Sequence, residues 1–353
     1  MKPTFQLLAD SQDITDLLRD RLISLRITDK PGIESDECEI TVDDRDGAVA
    51  FPRKGATLEI SLGYEGQKLI FVGKYKVDEI TVSGPPQQMV IRGKPADFAA
   101  TLKSQRRHGW EDVTLADIVG DVARRNNLQP ACEVEAQVPR ADQINESDIN
   151  FVTRIAGYHG ATATIKNGKL IVATRGEGKT GSGRELPRLT LHRDDLASWT
   201  LTFPDRPMYS EAKAGYHDST TGKLEVLAIE NPGEPAGEEA PAHTDRHTYP
   251  NKPAAEAAAK RRVESLNRAS ASGSVELMRG RADVSAEQML ELVGIKDKVD
   301  GNYPIESVEQ QFSKSAWVTS ISINAGNEGK AKVGRGKDSA QKGEVLEIEG
   351  PQK

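Results

Sequence analysis

Residues 173–180, Ala-Thr-Arg-Gly-Glu-Gly-Lys-Thr, come closest in this sequence to a nucleotide-binding motif. They match a loose phosphate-binding loop in which Ala173 replaces the first glycine and the Gly-Lys-Thr end is in register. Such a loop holds phosphate where a helix begins directly after the Lys-Thr pair, because loop amides and the helix N-terminus bind the anion. Here Gly-Ser-Gly follows, and then Pro187. We therefore interpret the segment as a flexible linker.

Two histidines four positions apart, His243 and His247, have the spacing with which a helix presents two imidazoles to one zinc ion. Their segment is rich in Pro and Glu, which disfavours a helix, and the glutamate of a His-Glu-x-x-His motif is missing. We therefore predict a solvated loop at these histidines and no metal site.

A thiol nucleophile with a histidine base could be assembled from Cys132 and His159. However, Cys132 begins an apparent strand, where a cysteine is ordinarily a small buried side chain. His159 lies at the expected end of a helix, where a partly positive imidazole is stabilised in any case. Cys38 and Cys132 lie far apart in the sequence, so we expect free thiols in a reducing compartment and assign neither a function.

Neighbouring carboxylates give no catalytic indication either. The acidic run at 43–46 is expected to solvate a turn, and in a chain with many carboxylates a pair such as Asp194-Asp195 is no evidence of catalysis. A glycosidase pair is defined by a spatial separation that a sequence does not give. We therefore predict no catalytic residue, no cofactor and no metal.

The 353-residue chain carries a formal net charge of −7 and is 37% hydrophobic but 5% aromatic. This balance argues against nucleic-acid binding as the primary role, because counterion release needs a basic face; the most basic short stretch, 104–108, is too small to change that. No apolar run approaches the roughly 18 residues of a membrane span, and the N-terminus lacks the apolar core of a secretory signal. We expect a folded protein with thin, aliphatic cores, made in a cytoplasm.

Residues 1–100 alternate between apolar and polar side chains and are interrupted by turn residues at short intervals. Short strands at such spacing indicate a β-barrel or sandwich. Strands are predicted at 22–29, 38–42, 57–63 and 89–92, and as two runs within 68–82.

Residues 101–183 change to a helical period and are predicted to form a small α+β domain. Thr114 followed by Asp117 is a capping-box arrangement that begins a first helix. A second helix is expected to begin at Ser147. The Asn-Gly pair at 167–168 is the strongest hairpin signal in the chain.

Residues 184–325 return to strands and are predicted to form a second β domain, with an exposed loop at 231–253 and a helix at 254–269. Residues 326–353 are polar and rich in Lys and Gly, and are expected to form a flexible C-terminal tail. The predicted fold class is therefore mixed and β-rich, with two strand-rich domains bracketing an α+β insert. The strands of the second block are predicted at 188–191, 198–203, 211–216, 224–229, 274–279, 289–293, 303–312 and 316–323.

Three segments together are similar to one protein family. The first ends a loop with Phe51-Pro52 before a strand; Pro52 fixes the entry to that strand and Gly55 permits the turn. The third is an Asp300-Gly301 turn that leads into Tyr303-x-Ile305 and a closing strand.

The second segment is the most specific of the three. It reads Glu146-Ser147-Asp148-x-x-Phe151-x-x-Arg154. Ser147 is expected to cap the helix, Asp148 to complement its N-terminus and Phe151 to pack inward.

In order and spacing, the three segments resemble the phage late control protein D family, the tail hub of contractile phages and R-type pyocins. The second segment also resembles the VgrG spikes of type VI secretion. The resemblance covers the chain from residue 1 to about residue 325. It implies a structural role for the twelve motif positions rather than a catalytic one.

The resemblance further implies a homotrimer in which each chain supplies two tube-like β domains, so that three chains form a pseudo-sixfold ring. One side of the ring is expected to meet the hexameric tail tube and the other a trimeric spike; tape-measure and baseplate wedge proteins are further partners that it leaves open. The protein is then expected in the virion tail baseplate, or in a pyocin-like particle, after assembly in the bacterial cytoplasm. Two alternatives are a VgrG-like carrier of effectors and a cell-wall-degrading baseplate enzyme.

Overall fold

The computed structural model of the chain describes residues 1–329 except 33–35, 96–99, 167, 175–185, 205–208, 219–220, 232–240, 250, 298 and 328. The helices are α1 (Thr15–Arg19), α2 (Leu115–Arg125), α3 (Asp148–Tyr158) and α4 (Lys252–Arg268). The strands are β1 (Pro3–Ala9), β2 (Gln12–Asp13), β3 (Leu22–Asp29), β4 (Glu37–Asp43), β5 (Thr57–Tyr64), β6 (Ile70–Ser83), β7 (Gln88–Pro95), β8 (Gln105–Thr114), β9 (Gln129–Cys132), β10 (Gln137–Ser147), β11 (Ala161–Lys166), β12 (Lys169–Thr174), β13 (Leu189–His192), β14 (Leu196–Thr202), β15 (Glu211–His217), β16 (Leu224–Glu230), β17 (Ala242–Tyr249), β18 (Ser272–Leu277), β19 (Met289–Val293), β20 (Gly301–Phe312) and β21 (Trp317–Asn324).

The two strand-rich blocks of the sequence join in one sheet of 13 strands. Its order is β14-β18-β21-β20-β3-β4-β7-β6-β5-β1-β2, with β19 attached to β20 and β13 attached to β19. The link between the blocks is the antiparallel pair β20–β3, in register from Val308 opposite Asp29 to Phe312 opposite Leu25. Phe312 and Trp317 of the second block are buried in the hydrophobic core of the first. Main-chain pairing and side-chain packing therefore both connect the two strand-rich blocks.

Four of the strands predicted in the first block are confirmed as β3, β4, β5 and β7. The two runs predicted within 68–82 are one strand, β6, whose irregularities near Gly73 and between Val77 and Glu79 break the alternation that sequence reading relies on. Strand β1 was not predicted. It alternates over one short span, with Phe5 and Leu7 buried between half-buried neighbours.

The predicted strands of the second block are confirmed, and no strand end differs from the prediction by more than two residues. The region 285–293 has strand and helix signals, and 289–293 form β19. The side chain of Gln288 accepts a hydrogen bond from the Ser285 N–H, as a cap would, although a strand follows. Pairing with β20 and β13 therefore overrides the local cap signal.

The central part of the chain has its own hydrophobic core, made of residues between Leu102 and Val172. Helix α2 begins with the predicted capping box, in which Thr114 and Asp117 bond reciprocally. Its stripe includes Ile118, Val119 and Val122, all fully buried, and each contributes roughly 1.5–3 kcal/mol by leaving water. The hairpin β11–β12 pairs Lys166 with Lys169, as predicted from the Asn-Gly signal.

The antiparallel ribbon β8–β10 was not predicted from the sequence. Both strands are polar over most of their length, so they lack the hydrophobic alternation that indicates a strand. The structure shows that 104–108, the most basic stretch, leads into and forms the start of β8. Each end of the ribbon leads into one helix: β8 runs into α2 at one end, and β10 runs into α3 at the other.

The prediction of an exposed loop at 231–253 is wrong for residues 242–249, which form β17. This strand pairs in parallel with β15 in a three-stranded sheet of order β16-β15-β17. Its sequence, Ala-His-Thr-Asp-Arg-His-Thr-Tyr, has no apolar alternation, so only the pairing of its backbone reveals it. His243 and His247 accordingly lie on a strand and not in a loop.

Helix α4 begins at Lys252, two residues before the predicted start, because Asn251 caps it and Pro253 fits its first turn. It packs on β15 and β16, and its core includes Ala255, Ala259 and Val263. Gly326 and Gly329, from the segment predicted to be a tail, are buried, and Asn327 is bonded to α4. The rest of that segment, and residues 175–180 of the phosphate-loop-like stretch, lie outside the described residues. The division into domains at residues 100, 183 and 325 stays a prediction.

Within the described part of the chain, no helix is long and apolar enough to span a bilayer.

Candidate functional site

The Glu-Ser-Asp segment lies where β10 passes directly into α3. Ser147 is the N-cap, and its hydroxyl accepts a hydrogen bond from the Asn150 N–H at 3.3 Å. The next residue, Asp148, begins the helix and is completely buried. The helix cap predicted at Ser147 is therefore confirmed. An acidic residue that only complements the helix dipole would ordinarily be exposed to solvent, so the burial of Asp148 indicates a further role.

The buried Asp148 carboxylate is held by groups from three other elements. The side-chain amides of Asn126 and Gln143 each donate to one of its oxygens at 2.9 Å. Two guanidinium groups approach it, Arg106 from β8 at 3.5 Å and Arg125 from α2 at 3.7 Å. A buried carboxylate is tolerated where donors and counter-charges surround it. Asp148 thereby ties together β8, α2, β10 and α3.

Glu146 and Arg154, the first and last positions of the same segment, form a forked ion pair. The Arg154 Nη2 atom lies 2.6 Å from Glu146 Oε2, and its Nε atom 3.2 Å from Oε1. This pairing raises the pKa of Arg154. Arg154 also donates to the Asp142 carbonyl at 3.1 Å. The pair therefore fixes the first two turns of α3 against β10.

Phe151 lies under this ion pair and is fully buried. Its ring stacks on Trp110 with centroids 4.7 Å apart and planes 13° from parallel. The Arg154 guanidinium lies 5.4 Å from the Phe151 ring, and that of Arg125 lies 5.4 Å from Trp110. The Trp110 N–H donates to Asp121 of α2 at 3.0 Å. The five motif residues thus form one junction, whose role is to orient the helices on the β8–β10 ribbon.

Sequence reasoning missed the partners of this junction. Arg106 belongs to the basic stretch 104–108, which is too short to predict a function, and Gln143 and Asn126 carry no signal in the sequence. Arg106 lies 42 positions before Asp148 in the sequence, and only the fold brings its guanidinium to the Asp148 carboxylate. The one usable sign was a charged residue, Asp148, at a position that continues into the apolar stripe of a helix.

The loop containing Phe51 and Pro52 is tied to the sheet at both ends. Asp46 forms two bonds with Arg21, at 2.7 and 2.6 Å, and the Arg21 side chain holds the pKa of the Asp46 carboxyl well below its ordinary range. At the other end, the Gly55 N–H donates to Val77 at 2.8 Å, and Gly55 has φ +79°, as the turn requires. Phe51, between these ends, is 70% exposed. An apolar ring held out on an anchored loop is a candidate contact for another protein.

The Asp300-Gly301 turn is also fixed by a carboxylate. Asp300 accepts hydrogen bonds from the N–H groups of Gly294, Ile295 and Lys296 at 2.6, 2.8 and 3.1 Å. Tyr303 is buried, its hydroxyl donates to the Val299 carbonyl, and burial raises its pKa to about 12. Gly301, with φ 149°, begins β20, and Ile305 is buried opposite Ile323. The turn closes the loop before the strand that joins the two blocks.

The other residues considered for chemistry are not brought into a reactive arrangement by the described contacts. His243 Nε2 is bonded to Arg262, and the His247 ring packs edge-on against Tyr249. Burial raises the pKa of the Cys132 thiol and, to about 12, that of Cys38, while burial lowers the pKa of His159. Across the described ranges, no cluster of three or more His, Cys, Asp or Glu side chains could hold a metal ion.

Comparison with known proteins identifies the family. The family model for the phage tail baseplate hub (GPD) matches residues 50–316. The chain is 33% identical to the probable baseplate hub protein of Escherichia phage 186, over 92% of this chain and 93% of that one.

Two solved structures share the fold. The 43 kDa tail protein of prophage MuSo2 from Shewanella oneidensis superposes with a TM-score of 0.68 at 13% identity, over 91% of this chain and 98% of that chain. An E. coli component of the type VI secretion system superposes with a TM-score of 0.51 at 11% identity, over 86% of this chain and 73% of that chain. At these identities, both similarities concern the fold alone.

The family is structural and not enzymatic. The chain belongs to the phage tail baseplate hub (GPD) family and is a baseplate hub protein of a contractile phage tail.

Proposed function

We propose that the protein forms a homotrimeric ring that adapts the hexameric tail tube to the trimeric central spike. A ring of three chains meets a sixfold partner when each chain presents two similar units. The observation that supports this is the 13-stranded sheet, in which the strands of the first block and those of the second lie side by side across the β20–β3 pair. Each chain would then contribute two adjacent arcs of the ring.

The edges of this sheet suit closure by a neighbouring copy. Among the described strands, β14 lies at one edge and pairs with β18, and most of its length is exposed, including Trp199. At the other edge of the described sheet, β1 is followed by the two-residue β2. Open strand edges are completed by further strands, and a closed ring consumes all of them. We infer that β14 of one copy approaches the β1–β2 edge of the next.

The exposed Phe51 loop is the strongest candidate in the first block for a contact with another baseplate component. The Arg21–Asp46 ion pair and the Gly55–Val77 hydrogen bond hold the aromatic side chain of Phe51 at a fixed place without covering it. Tube and spike are the partners assigned to the two sides of the ring, and tape-measure and baseplate wedge proteins are further candidates. The net charge of −7 keeps free hubs apart before assembly.

Mass photometry of the purified protein tests the trimer. The expected particle has three times the 38.4 kDa mass of the chain. Trp199→Lys, at the edge strand, should shift the population to monomers, because an edge lysine opposes strand addition. Ile144→Lys is the matched control, since Ile144 is exposed but lies on the β8–β10 ribbon. A stable monomer for the unmodified chain, with no binding to tube or spike proteins, would contradict the proposal.

The alternative is a VgrG-like carrier of a type VI-like secretion system, which the shared fold favours. A carrier is exported by the cells that make it, whereas a hub sediments with assembled tails. Fractionation of producing cells into medium, cytoplasm and tail particles separates the two functions.

A further inference from the structure

A groove of about 540 Å³ runs between β17 and α4. The helix packs its apolar stripe on β15 and β16, and Tyr249 is the residue that β17 contributes to that core. The β17 side of the sheet is therefore left uncovered by the helix. We call this the basic groove, because its lining includes His243, Arg246, Arg261, Arg262 and Arg268.

Positive charge in the basic groove has few counter-charges from the described residues. Asp245 lines it, but its carboxylate accepts hydrogen bonds from the His247 N–H and the Tyr249 hydroxyl. Arg262 donates to His243 Nε2 at 3.0 Å, while His243 Nδ1 is buried with no hydrogen-bond partner in the described structure. Among the described side chains, no carboxylate forms an ion pair with Arg246 or Arg262. On a chain with net charge −7, such a groove favours an acidic ligand.

Among the strands that the structure describes, β17, which borders the groove, is paired on one side only, with β15. An open edge accepts an extended segment through main-chain hydrogen bonds, and the side chains of that segment then determine which segment binds. The expected occupant is therefore an acidic segment with a strong tendency to form a strand.

The chain contains such a segment at 344–349, Glu-Val-Leu-Glu-Ile-Glu. It matches residues 225–230, Glu-Val-Leu-Ala-Ile-Glu, at five of six positions, and those residues form β16, the opposite edge strand of the same sheet. The one difference, Glu347 in place of Ala228, adds a third negative charge. The same strand-forming sequence is thus present in a version suited to a basic edge.

The described chain ends beside the groove. The Asn327 carbonyl accepts from the Asn267 side chain at 2.9 Å, the Arg268 guanidinium bonds the Asn327 side chain, and Gly329 is buried against Asn267. Residues 330–343 can span up to roughly 46 Å when extended, at roughly 3.3 Å per residue. The whole of α4, 17 residues, is roughly 25 Å long. The segment 344–349 can therefore reach any part of the groove of its own chain.

We propose that residues 344–349 bind as an added strand along the free edge of β17 in the same chain, with their glutamates against Arg246 and Arg262. The connection 232–240 is also acidic and precedes β17 in the sequence, but Pro235 and its glycines disfavour strand formation there. The bound segment would occupy the open edge of this sheet until assembly, which protects a free hub from unwanted strand addition.

Hydrogen exchange of the full-length protein, followed by mass spectrometry, tests the docking. At low salt, amides of 344–349 should exchange at least about tenfold more slowly than in an unstructured chain, and at 0.5 M salt most of this protection should be lost. Arg246→Glu with Arg262→Glu should abolish it, and adding Glu347→Arg with Glu349→Arg should restore part of it. Far-UV circular dichroism checks that each variant is folded.

Matched variants make the result specific. Removing three charges by Glu344→Gln, Glu347→Gln and Glu349→Gln should reduce the protection, whereas Glu234→Gln, Glu238→Gln and Glu239→Gln should leave it unchanged. Charge reversal at the exposed Arg124 and Arg140 controls for net charge. Unprotected amides at 344–349, or protection that survives reversal of Arg246 and Arg262, would overturn the proposal. Protection that disappears on dilution would assign the segment to a second copy and overturn docking within one chain.

Discussion

Replacing Asp148 by Asn is the sharpest test of the junction between the ribbon and the two helices. The substitution keeps the size of the side chain and removes its charge. Asp148 is completely buried and accepts two hydrogen bonds of 2.9 Å from Asn126 and Gln143. An asparagine turns one of its oxygens into an N–H₂ donor, so at least one of these bonds becomes a contact between two donors.

The larger effect is on the two arginines. Arg106 and Arg125 lie 3.5 and 3.7 Å from the carboxylate, and without it their charges are left uncompensated at a buried site. Removing one partner of a fully buried ion pair costs roughly 3–5 kcal/mol. The two arginine side chains are 38% and 27% exposed, so solvent recovers part of this. We therefore expect Asp148→Asn to destabilise the α2–α3 region by about 2–4 kcal/mol.

Hydrogen exchange of peptides from α2 and α3 measures this locally, since the chain has several cores and need not unfold in one step. Asp142→Asn is the matched control in the same strand, because Asp142 pairs with Arg140 at the surface and should cost less than about 1 kcal/mol. Glu146→Gln, which breaks the partly exposed pair with Arg154, should fall between the two. A loss below about 1 kcal/mol for Asp148→Asn, or one no larger than that of Asp142→Asn, would refute the role assigned to Asp148.

Three further outcomes are expected. Phe51→Ser should leave the thermal midpoint unchanged, because the ring is 70% exposed, but should weaken incorporation into tails, which a complementation assay with a hub-deficient phage measures. Asp300→Ala should cost about 1–3 kcal/mol, because three backbone N–H groups lose their acceptor, and faster exchange at 294–296 reports the loss. Arg21 lowers the pKa of Asp46, so the stability that this ion pair contributes is fully present above the unfolded-state pKa and is lost as pH falls through the lower folded-state pKa. Amide hydrogen exchange in the Phe51 loop, corrected for intrinsic rates, should therefore rise with acid. Asp46→Asn should abolish that pH dependence.

Local features of the chain are predictable from its residue types. The capping box at Thr114, the cap at Ser147 and the turn between β11 and β12 are all found where the sequence predicts them. Each of these features depends on residues within about four positions of one another, and hydrogen bonds over that distance are specified by residue type alone. The same locality explains why the three family segments could be recognised.

Features that depend on distant residues were missed or incompletely read. Strand β17 is polar from His243 to Thr248, and its pairing with β15 defines it. The ribbon β8–β10 was missed for the same reason. In such strands the backbone supplies the stabilising bonds, and the side chains carry no alternating pattern from which pairing could be inferred.

The sequence by itself determined the strand-rich character of the chain, the starts of α2 and α3 and the family, because local patterns carry that information. The tertiary structure decided that the two strand blocks join at β20 and β3, and that Asp148 of the family segment is the buried centre of an ionic junction. Both facts depend on which distant residues meet. That is fixed by burial and main-chain pairing over the whole chain, and no local pattern records it.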